Sequence, residues 1–280
     1  MSTLSFTKLE GIGNDFVLID AWSLPEMDWP ALTVRMCDRH FGIGSDGLLL
    51  LMPSEKADIR MRMFNPDGTE DMCGNGLRCM AVYARNAGRV GGDEFTIETF
   101  DGVRRAEVSG SSARVSMIKP SFKSADIPAN LDVDEVIDYP IEAGGRVYRI
   151  TAVQVGTPHA VIFASAESFW EVIPPESLLI QQHPVFPERV NVTWCDVESP
   201  ESLRIRTWER GAGPTLGCGT GACAALVAAN INGLASSRAE VTSPGGTLEI
   251  EWPDRGDILM SGPANEVYRG VWPLRPTPDT

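Results

Sequence analysis

The stretch Met72-Cys-Gly-Asn-Gly-Leu-Arg-Cys-Met-Ala81 places a cysteine on a Gly-x-Gly turn that opens into a helix-compatible run of small residues, Cys79–Ala87. A second stretch, Gly217-Cys-Gly-Thr-Gly-Ala-Cys-Ala-Ala225, repeats this pattern 145 positions further on and continues through Ala222–Asn230. Unpaired backbone N–H groups and the helix dipole favour a negative charge at a helix start, so each position favours a thiolate. Two such sites, half a chain apart, indicate two cysteines that face each other.

The segments around the two cysteines also match each other. Leu203-Arg-Ile-Arg-Thr-Trp208 aligns with Ile59-Arg-Met-Arg-Met-Phe64 at an offset of 144, arginine for arginine. The turn Pro244-Gly-Gly246 stands where Asp101-Gly102 stands in the first half, between two segments of strand-like sequence. We therefore predict an internal duplication with a fold of the α/β (α+β) class. Each half would hold mostly antiparallel strands and one long helix, with the active site in the cleft between them.

The expected division of the chain follows from the repeat and from one polar, proline-containing segment. Lys119-Pro120-Ser121 is the best candidate for a boundary. The prediction is an N-terminal half over residues 1–119, joined by a C-terminal strand over 265–280, and a C-terminal half over 120–264.

Composition excludes several classes of partner. A chain of 280 residues can hold two modest domains. Its formal charge of −14 argues against binding to nucleic acid or to an anionic membrane, because both need a basic face. We find no apolar run long enough to span a membrane and no leader-like start, so we expect a cytoplasmic protein. In that compartment the six cysteines are expected to be thiols and not a disulfide framework.

Three other interpretations of the motifs were weighed. Gly42-x-Gly44-x-x-Gly47 fits a dinucleotide fingerprint as a pattern, but a strand-like segment follows it where that motif needs a helix. The spacing of Cys73 and Cys79 is wider than that of ordinary zinc knuckles, and the sequence has only three histidines, so no metal site is expected. A single nucleophilic cysteine could use His159, on a turn after a strand, as its base. The doubling of the cysteine motif argues against this, because such catalysis needs one activated thiol.

A pair of thiols in equivalent settings suits the inversion of a stereocentre. One thiolate removes a proton from one face of a carbon atom, and one thiol returns a proton to the other face. Protonation of such a pair would be coupled. The two helix starts could direct N–H groups at a substrate carboxylate and at the charge that develops when the α-proton leaves. We find no lysine motif for pyridoxal phosphate, and no cofactor is expected.

Six motifs, in order and spanning nearly the whole chain, resemble those of the diaminopimelate epimerases, within the cofactor-independent racemase and epimerase superfamily. The motifs are Glu10-Gly-Ile-Gly-Asn-Asp-Phe16, Phe41-Gly-Ile-Gly-Ser-Asp-Gly47, Met72-Cys-Gly-Asn-Gly-Leu-Arg-Cys79, Gly156-Thr-Pro-His159, Glu209-Arg-Gly-Ala-Gly213 and Cys218-Gly-Thr-Gly-Ala-Cys223. The resemblance implies two halves, each with a barrel-like sheet around a central helix. It also implies the conversion of LL- to meso-diaminopimelate in lysine and peptidoglycan-precursor synthesis.

The resemblance further implies roles for particular residues. Cys73 and Cys218 would be the acid/base pair, with His159 and Glu209 tuning their pKa values. Tyr268 would lie at the interface of a homodimer. The substrate-binding residues implied are Asn14, Asn65, Gly74, Asn75, Asn191, Glu209, Arg210, Gly219 and Thr220. Among them, Arg210 would offer a bidentate partner to the distal carboxylate.

The sequence departs from the family pattern at three places near the substrate. Thr157 stands where the family usually has Asn, and Gly47 stands where some members have Gln. The segment between Asn65 and Cys73 is one residue shorter than the common pattern. Two alternatives therefore stay open: a racemase or isomerase of the same superfamily that acts on another amino acid, and a catalytically silent module that responds to metal or redox state.

Overall fold

The computed structural model describes residues 3–274. The first part of the chain forms β1 (Thr3–Gly11), β2 (Asn14–Asp20), α1 (Trp29–Cys37), β3 (Gly47–Met52), β4 (Ile59–Phe64), β5 (Glu70–Asp71), α2 (Gly74–Asn86), β6 (Glu94–Thr99), β7 (Gly102–Ser109) and β8 (Ser112–Ser116). The second part forms β9 (Tyr139–Ala143), β10 (Arg146–Gln154), β11 (Pro158–Phe163), α3 (Glu176–Gln181), β12 (Asn191–Ser199), β13 (Ser202–Glu209), β14 (Gly213–Pro214), α4 (Gly219–Ile231), β15 (Arg238–Ser243), β16 (Gly246–Glu251), β17 (Leu259–Pro263) and β18 (Asn265–Pro273).

The chain divides into two compact units. Unit 1 holds the residues up to Val115 together with those from Pro263 onward, and unit 2 is Ser116–Gly262. The sequence-based boundaries, at 119/120 and 264/265, lie a few residues C-terminal to these. The last part of the predicted C-terminal strand, residues 275–280, lies outside the described residues.

In unit 1, from β1 to β6, neighbouring strands pair alternately in antiparallel and parallel fashion. Strand β1 pairs antiparallel with β2, β2 parallel with β3, β3 antiparallel with β4, and β4 parallel with β6. Strands β6, β7 and β8 then form an antiparallel meander, and β18 extends the sheet by pairing antiparallel with β1. The β6–β7 hairpin around Asp101-Gly102 is the one that the sequence predicts.

Unit 2 repeats this pairing strand for strand. Its order is β10, β11, β12, β13, β15, β16 and β17, with parallel pairing at β11–β12 and β13–β15 and antiparallel pairing elsewhere. Strand β9 pairs antiparallel with β10. The predicted duplication is therefore confirmed at the level of topology, with mixed sheets in which antiparallel pairs predominate.

One long helix lies on the sheet of each unit. Helix α2 contacts β1, β2, β3, β4 and β7, and helix α4 contacts β10, β11, β12, β13, β15 and β16. Most residues of both helices are buried. A helix that contacts five or six strands of one sheet requires that sheet to curve around it. Each unit thus has the central helix that the family resemblance implies.

Strand β3 shows why the sheet of unit 1 is covered on both faces. Leu48, Leu49, Leu50 and Leu51 are all fully buried. Because side chains alternate along a strand, two of them point to each face. Leu48 and Leu50 pack in a core cluster that includes α1, while a side chain added at Gly76 of α2 would touch Leu49. Burial of each leucine contributes about 1.5–3 kcal/mol.

Candidate active site

Cys73 is the N-cap residue of α2. Its backbone is extended (φ −136°, ψ 119°), and its sulfur accepts a hydrogen bond from the N–H of Gly76 at 3.5 Å. An N-cap side chain that accepts from the first turn satisfies a donor that has no partner within the helix. The glycines that follow give backbone N–H groups open approach, so the first turn of α2 can receive a negative charge beside the sulfur.

The side chain of Asn14 links Cys73 to the loop before β3. Its amide oxygen lies 3.7 Å from the Cys73 sulfur and accepts a hydrogen bond from Asn75 Nδ2 at 3.1 Å. Its amide nitrogen donates to Asp46 Oδ2 at 2.7 Å. Unit 1 therefore brings together four of the residues that the sequence predicts (Cys73, Gly74, Asn75 and Asn14), and adds Asp46, which the prediction did not include.

Asp46 belongs to a cluster of charged groups. Arg39 Nη2 lies 2.7 Å from an oxygen of both Asp15 and Asp46, and the buried Lys8 ammonium pairs with Asp15. Burial acts to raise the pKa of Asp15, but hydrogen bonds from Arg39 and Lys8 outweigh it, so the pKa lies below its ordinary value. The same Asp15 bond raises the pKa of Arg39. Asp15 and Arg39 therefore stay charged.

Cys218 is the N-cap residue of α4 in the same geometry. Its backbone is extended (φ −120°, ψ 109°), and its sulfur accepts a hydrogen bond from the N–H of Gly221 at 3.3 Å. A second neighbour is the hydroxyl of Thr220, 3.4 Å from the sulfur. The two central helices thus begin on equivalent cysteines, as the repeat in the sequence predicts.

His159 is fully buried in unit 2 and is linked to Cys218 through one hydroxyl. Its Nε2 lies 3.0 Å from Thr220 Oγ1 and 3.2 Å from Thr157 Oγ1, and its Nδ1 lies 3.0 Å from Thr193 Oγ1. Burial, with a smaller contribution from the charge of Arg210, lowers the pKa of His159 to about 3. The imidazole is therefore neutral at pH 7 and can both accept and donate a hydrogen bond.

Asn191 holds the loops around His159 together. Its Nδ2 donates to Thr157 Oγ1 at 3.2 Å and to the Pro158 carbonyl at 3.1 Å, while its Oδ1 accepts from the Arg210 N–H at 2.7 Å. These contacts fix the backbone on which Arg210 stands. The Arg210 guanidinium donates to the Glu188 carbonyl at 3.3 Å, and Arg210 is only partly buried.

The remaining predicted residues lie in more varied settings. Glu209 accepts a hydrogen bond from the Thr215 hydroxyl at 2.6 Å. Asn65 lies on the turn after β4 and donates to the Thr69 hydroxyl at 3.1 Å. Tyr268 is 45% exposed on β18, where it packs edge-on against Phe6.

The second cysteine of each motif, Cys79 or Cys223, is buried within its helix. Cys37 and Cys195 are buried elsewhere in the core. Burial raises the pKa of Cys79 to about 12 and that of Cys195 further still. These two thiols are therefore poor proton donors and acceptors near pH 7. Both are apolar core residues.

The structure also bears on the glycine motif and on metal binding. Gly47 opens strand β3, so the Gly42–Gly47 loop does not lead into a helix as a dinucleotide site requires.

Between residues 3 and 274, no three histidine, cysteine or acidic side chains form a group that could hold a metal ion. In the same range no helix has the length and apolarity to cross a membrane.

Comparison with solved structures identifies the class of fold. A phenazine biosynthesis protein of the PhzF family from Bacillus anthracis superposes with a TM-score of 0.72 at 18% identity, covering 98% of this chain and 100% of the other. A hydroxyproline epimerase from Agrobacterium vitis superposes with a TM-score of 0.69 at 15% identity, covering 96% and 92%. At these identities the likeness shows the fold alone: the duplicated fold that this protein shares with PhzF proteins and with amino-acid epimerases.

Sequence comparison identifies the family. The profile of diaminopimelate epimerase matches residues 6–123 and 151–267. The diaminopimelate epimerase of Pelotomaculum thermopropionicum is 46% identical over 283 residues, covering 97% of this chain and 100% of that protein. That of Desulforudis audaxviator is 45% identical, covering 96% and 99%. The chain belongs to the diaminopimelate epimerase family, and the resemblance in its motifs is confirmed.

Proposed function

We propose that the protein interconverts LL- and meso-diaminopimelate without a cofactor, and thereby serves the synthesis of lysine and of peptidoglycan precursors in the cytoplasm. The observation that carries this proposal is the equivalent placement of Cys73 and Cys218, each as the N-cap of a buried central helix. Membership of the family supports the choice of substrate.

In the proposed reaction the two sulfurs exchange roles. The thiolate of one cysteine takes the α-proton and becomes a thiol, and the electron pair of the broken C–H bond moves into the adjacent carboxylate. That electron pair then returns to the carbon and takes the proton of the other cysteine's thiol on the opposite face, which forms the new C–H bond and leaves a thiolate. Charge and protons balance, the stereocentre is inverted, and the reverse reaction uses the same groups.

The helix starts supply the proposed stabilisation of charge. Gly74 and Asn75 in α2, and Gly219 and Thr220 in α4, belong to the first turns of the two helices, where backbone N–H groups point towards the cysteine end of the helix. We infer that they bind the reacting carboxylate, where negative charge increases as the proton leaves. Removal of a single donor of this kind typically costs a factor of about a hundred to a thousand in rate.

We propose a set of polar side chains as contacts for the second amino-acid end of the substrate. We propose that Arg210 binds the distal carboxylate, with Glu209, Asn191, Asn65 and Asn14 as further contacts. Asn191 already uses its amide to fix the loops around Thr157 and Arg210. Its contribution to binding would therefore come largely through the position of Arg210.

A second candidate substrate class follows from two positions. Thr157 offers a hydroxyl where the family usually has an amide, and this hydroxyl lies within hydrogen-bond distance of His159, Asn191 and Thr220. A Cβ at Gly47 would lie 2.9 Å from the Phe64 carbonyl oxygen, so this position has no room for the glutamine of some members. Both features favour a relative that acts on a different amino acid.

A substrate panel tests the proposal. The purified protein, kept in reductant, is incubated with LL-diaminopimelate and separately with proline, hydroxyproline, glutamate and lysine, and the stereoisomers are separated by chiral chromatography. We expect conversion of diaminopimelate to an equilibrium mixture and no conversion of the others. Conversion of a simple amino acid, with none of diaminopimelate, would overturn the assignment and favour the second candidate.

We also propose that the protein is a homodimer that uses β18. This strand pairs with β1 and exposes Val267, Tyr268 and Val271 by 56%, 45% and 65%. A group of exposed apolar side chains on one strand of a sheet is typical of a protein–protein interface. Sedimentation velocity should give the mass of a dimer for the wild type and of a monomer for Val271→Glu. A monomeric wild type would contradict the proposal.

A further inference from the structure

The amide of Asn14 has two orientations that differ in what they present to Cys73. In one, the oxygen faces the thiol and can accept its proton in a hydrogen bond. In the other, the NH2 group faces the sulfur and can donate to a thiolate. The two orientations occupy almost the same volume, so packing cannot choose between them. Hydrogen-bond partners must make that choice.

Asp46 selects the first orientation, and the contact with Asn75 is compatible with it. Asp46 Oδ2 lies 2.7 Å from the amide nitrogen, and a carboxylate oxygen can only accept. Turning the amide over would place two oxygens against each other at that distance. On the other side, Asn75 Nδ2 donates to the Asn14 oxygen at 3.1 Å. The oxygen is thereby directed at the Cys73 sulfur, 3.7 Å away.

Asp46 is in turn held by a backbone N–H group and by a charged side chain. Its Oδ2 also accepts from the Asp15 N–H at 3.1 Å, and its Oδ1 accepts from Arg39 at 2.7 Å. Arg39 is tied to Asp15, which is paired with the buried Lys8. The carboxylate therefore has donors on both oxygens and cannot rotate without breaking bonds.

We propose that Asp46 is a positioning residue that fixes the amide of Asn14 so that its oxygen faces the thiol of Cys73. This inference rests on the proposed function for the use of that thiol as a proton carrier. Asp46 does not contact the reacting atoms and acts only through Asn14. Its loss would free the amide to turn its NH2 group to the sulfur.

The test is the rate of alkylation of each cysteine by iodoacetamide, measured peptide by peptide with mass spectrometry. The thiolate is the form that reacts, so an amide that donates to Cys73 should speed its alkylation. In Asp46→Leu we expect the Cys73 rate to rise by about threefold to tenfold, the factor that one hydrogen bond is worth. The Cys218 rate should stay unchanged. Asp46→Ser, with the same expectation, is measured in parallel in case the leucine variant does not fold.

A double-mutant cycle separates positioning from a general structural role. In an Asn14→Ala background, Asp46→Leu should cause no further change in the Cys73 rate, because the amide through which it acts is gone. Arg39→Gln is the matched control: it removes the ion pair to Asp46 but leaves the Asn14–Asp46 bond, and the Cys73 rate should stay near that of the wild type.

Three results would overturn the inference: an unchanged Cys73 rate in the Asp46 variants, the same increase in the Asn14→Ala background, or an equal increase in Arg39→Gln. Alkylation needs no substrate. The inference can therefore fail while the enzyme remains active on diaminopimelate, and the proposed function can fail while the alkylation rates follow this pattern.

Discussion

The two cysteine caps have the same backbone and different neighbours. Cys73 faces an amide oxygen, held in place by a cluster of four charged side chains. Cys218 faces a hydroxyl that leads to a buried, neutral imidazole. The duplication therefore preserved the device that presents a thiol at a helix start. The groups around that thiol have diverged, which fits the proposal that the two cysteines play opposite roles in each direction of the reaction.

The largest expected effect comes from removing either sulfur. Cys73→Ala and Cys218→Ala should each lower kcat/KM for inversion by at least about a thousandfold, because proton removal and proton return need separate groups. Cys195→Ala, a buried thiol of the core, is the control and should keep its activity with a modest loss of stability. Chiral chromatography of diaminopimelate measures all three, and full inversion by either single-cysteine variant would disprove the two-thiol mechanism.

The next effect concerns the Thr220 hydroxyl beside Cys218, a position that Asn75 occupies in the first repeat. Thr220→Val should lower kcat by about tenfold to a hundredfold, because it breaks the link from Cys218 to His159, and Thr220→Ser should restore most of the loss. Thr220→Val should also change the alkylation rate of Cys218 and leave that of Cys73 unaltered. Thr242→Val removes an exposed hydroxyl from β15 and should change neither rate. Equal changes at both cysteines in Thr220→Val would contradict the comparison.

The buried imidazole of unit 2 predicts a pH dependence of stability. His159 has a pKa of about 3 when folded and an ordinary value near 6.5 when unfolded, so between these pH values the unfolded chain binds more protons. Stability is therefore retained above pH 6.5 and lost as the pH falls towards 3, by on the order of 5 kcal/mol.

Urea unfolding of the wild type and of His159→Gln at several pH values measures this contribution. The glutamine variant keeps hydrogen-bonding groups but does not titrate, and its stability should fall less steeply over this range. Because carboxylates titrate in the same range in both proteins, only the difference between the two curves counts. Parallel curves would show that His159 is not the group responsible.

The smallest effect tests a place where the repeats differ. Strand β3 opens with Gly47, whereas the equivalent strand β12 opens with Asn191. Gly47→Asn should cost about 1–3 kcal/mol of stability, because a Cβ there would lie 2.9 Å from the Phe64 carbonyl oxygen. Gly92→Asn, where a Cβ meets no atom within 4 Å, is the control and should cost much less. Urea unfolding measures both, and equal stabilities would contradict the close packing at Gly47.

The duplication could be predicted from the sequence because the repeat is visible in strands, where apolar and polar side chains alternate, and in the turns between them. The two aligned segments, Ile59–Phe64 and Leu203–Trp208, both lie in strands, and the Asp101-Gly102 turn joins two strands as the sequence predicts. The start of α2 was placed too late. The prediction read Gly74 and Gly76 as turn residues, since glycine is a poor helix former, but the Cys73 cap allows the helix to begin there.

Other features could not be predicted because they depend on segments far apart in the chain. Asn14 and Asp46 meet through the parallel pairing of β2 with β3. His159 and Thr220 are 61 residues apart. Single-sequence patterns report the periodicity of one element and give no register between elements. A hint was nevertheless present: Asp46 follows a small, glycine-rich loop directly before a fully apolar strand, a position where a carboxylate needs a specific reason to occur.

The most direct test of the two-thiol account is the fate of the α-proton in deuterated water. LL-diaminopimelate is incubated with the enzyme, and substrate and product are separated at a few per cent conversion and analysed by mass spectrometry. Because one thiol removes the proton and a different, deuterated thiol supplies its replacement, we predict product with one deuterium at the inverted carbon and recovered substrate without any. Product that retains the original proton would contradict the account, since it would show that one group performs both transfers.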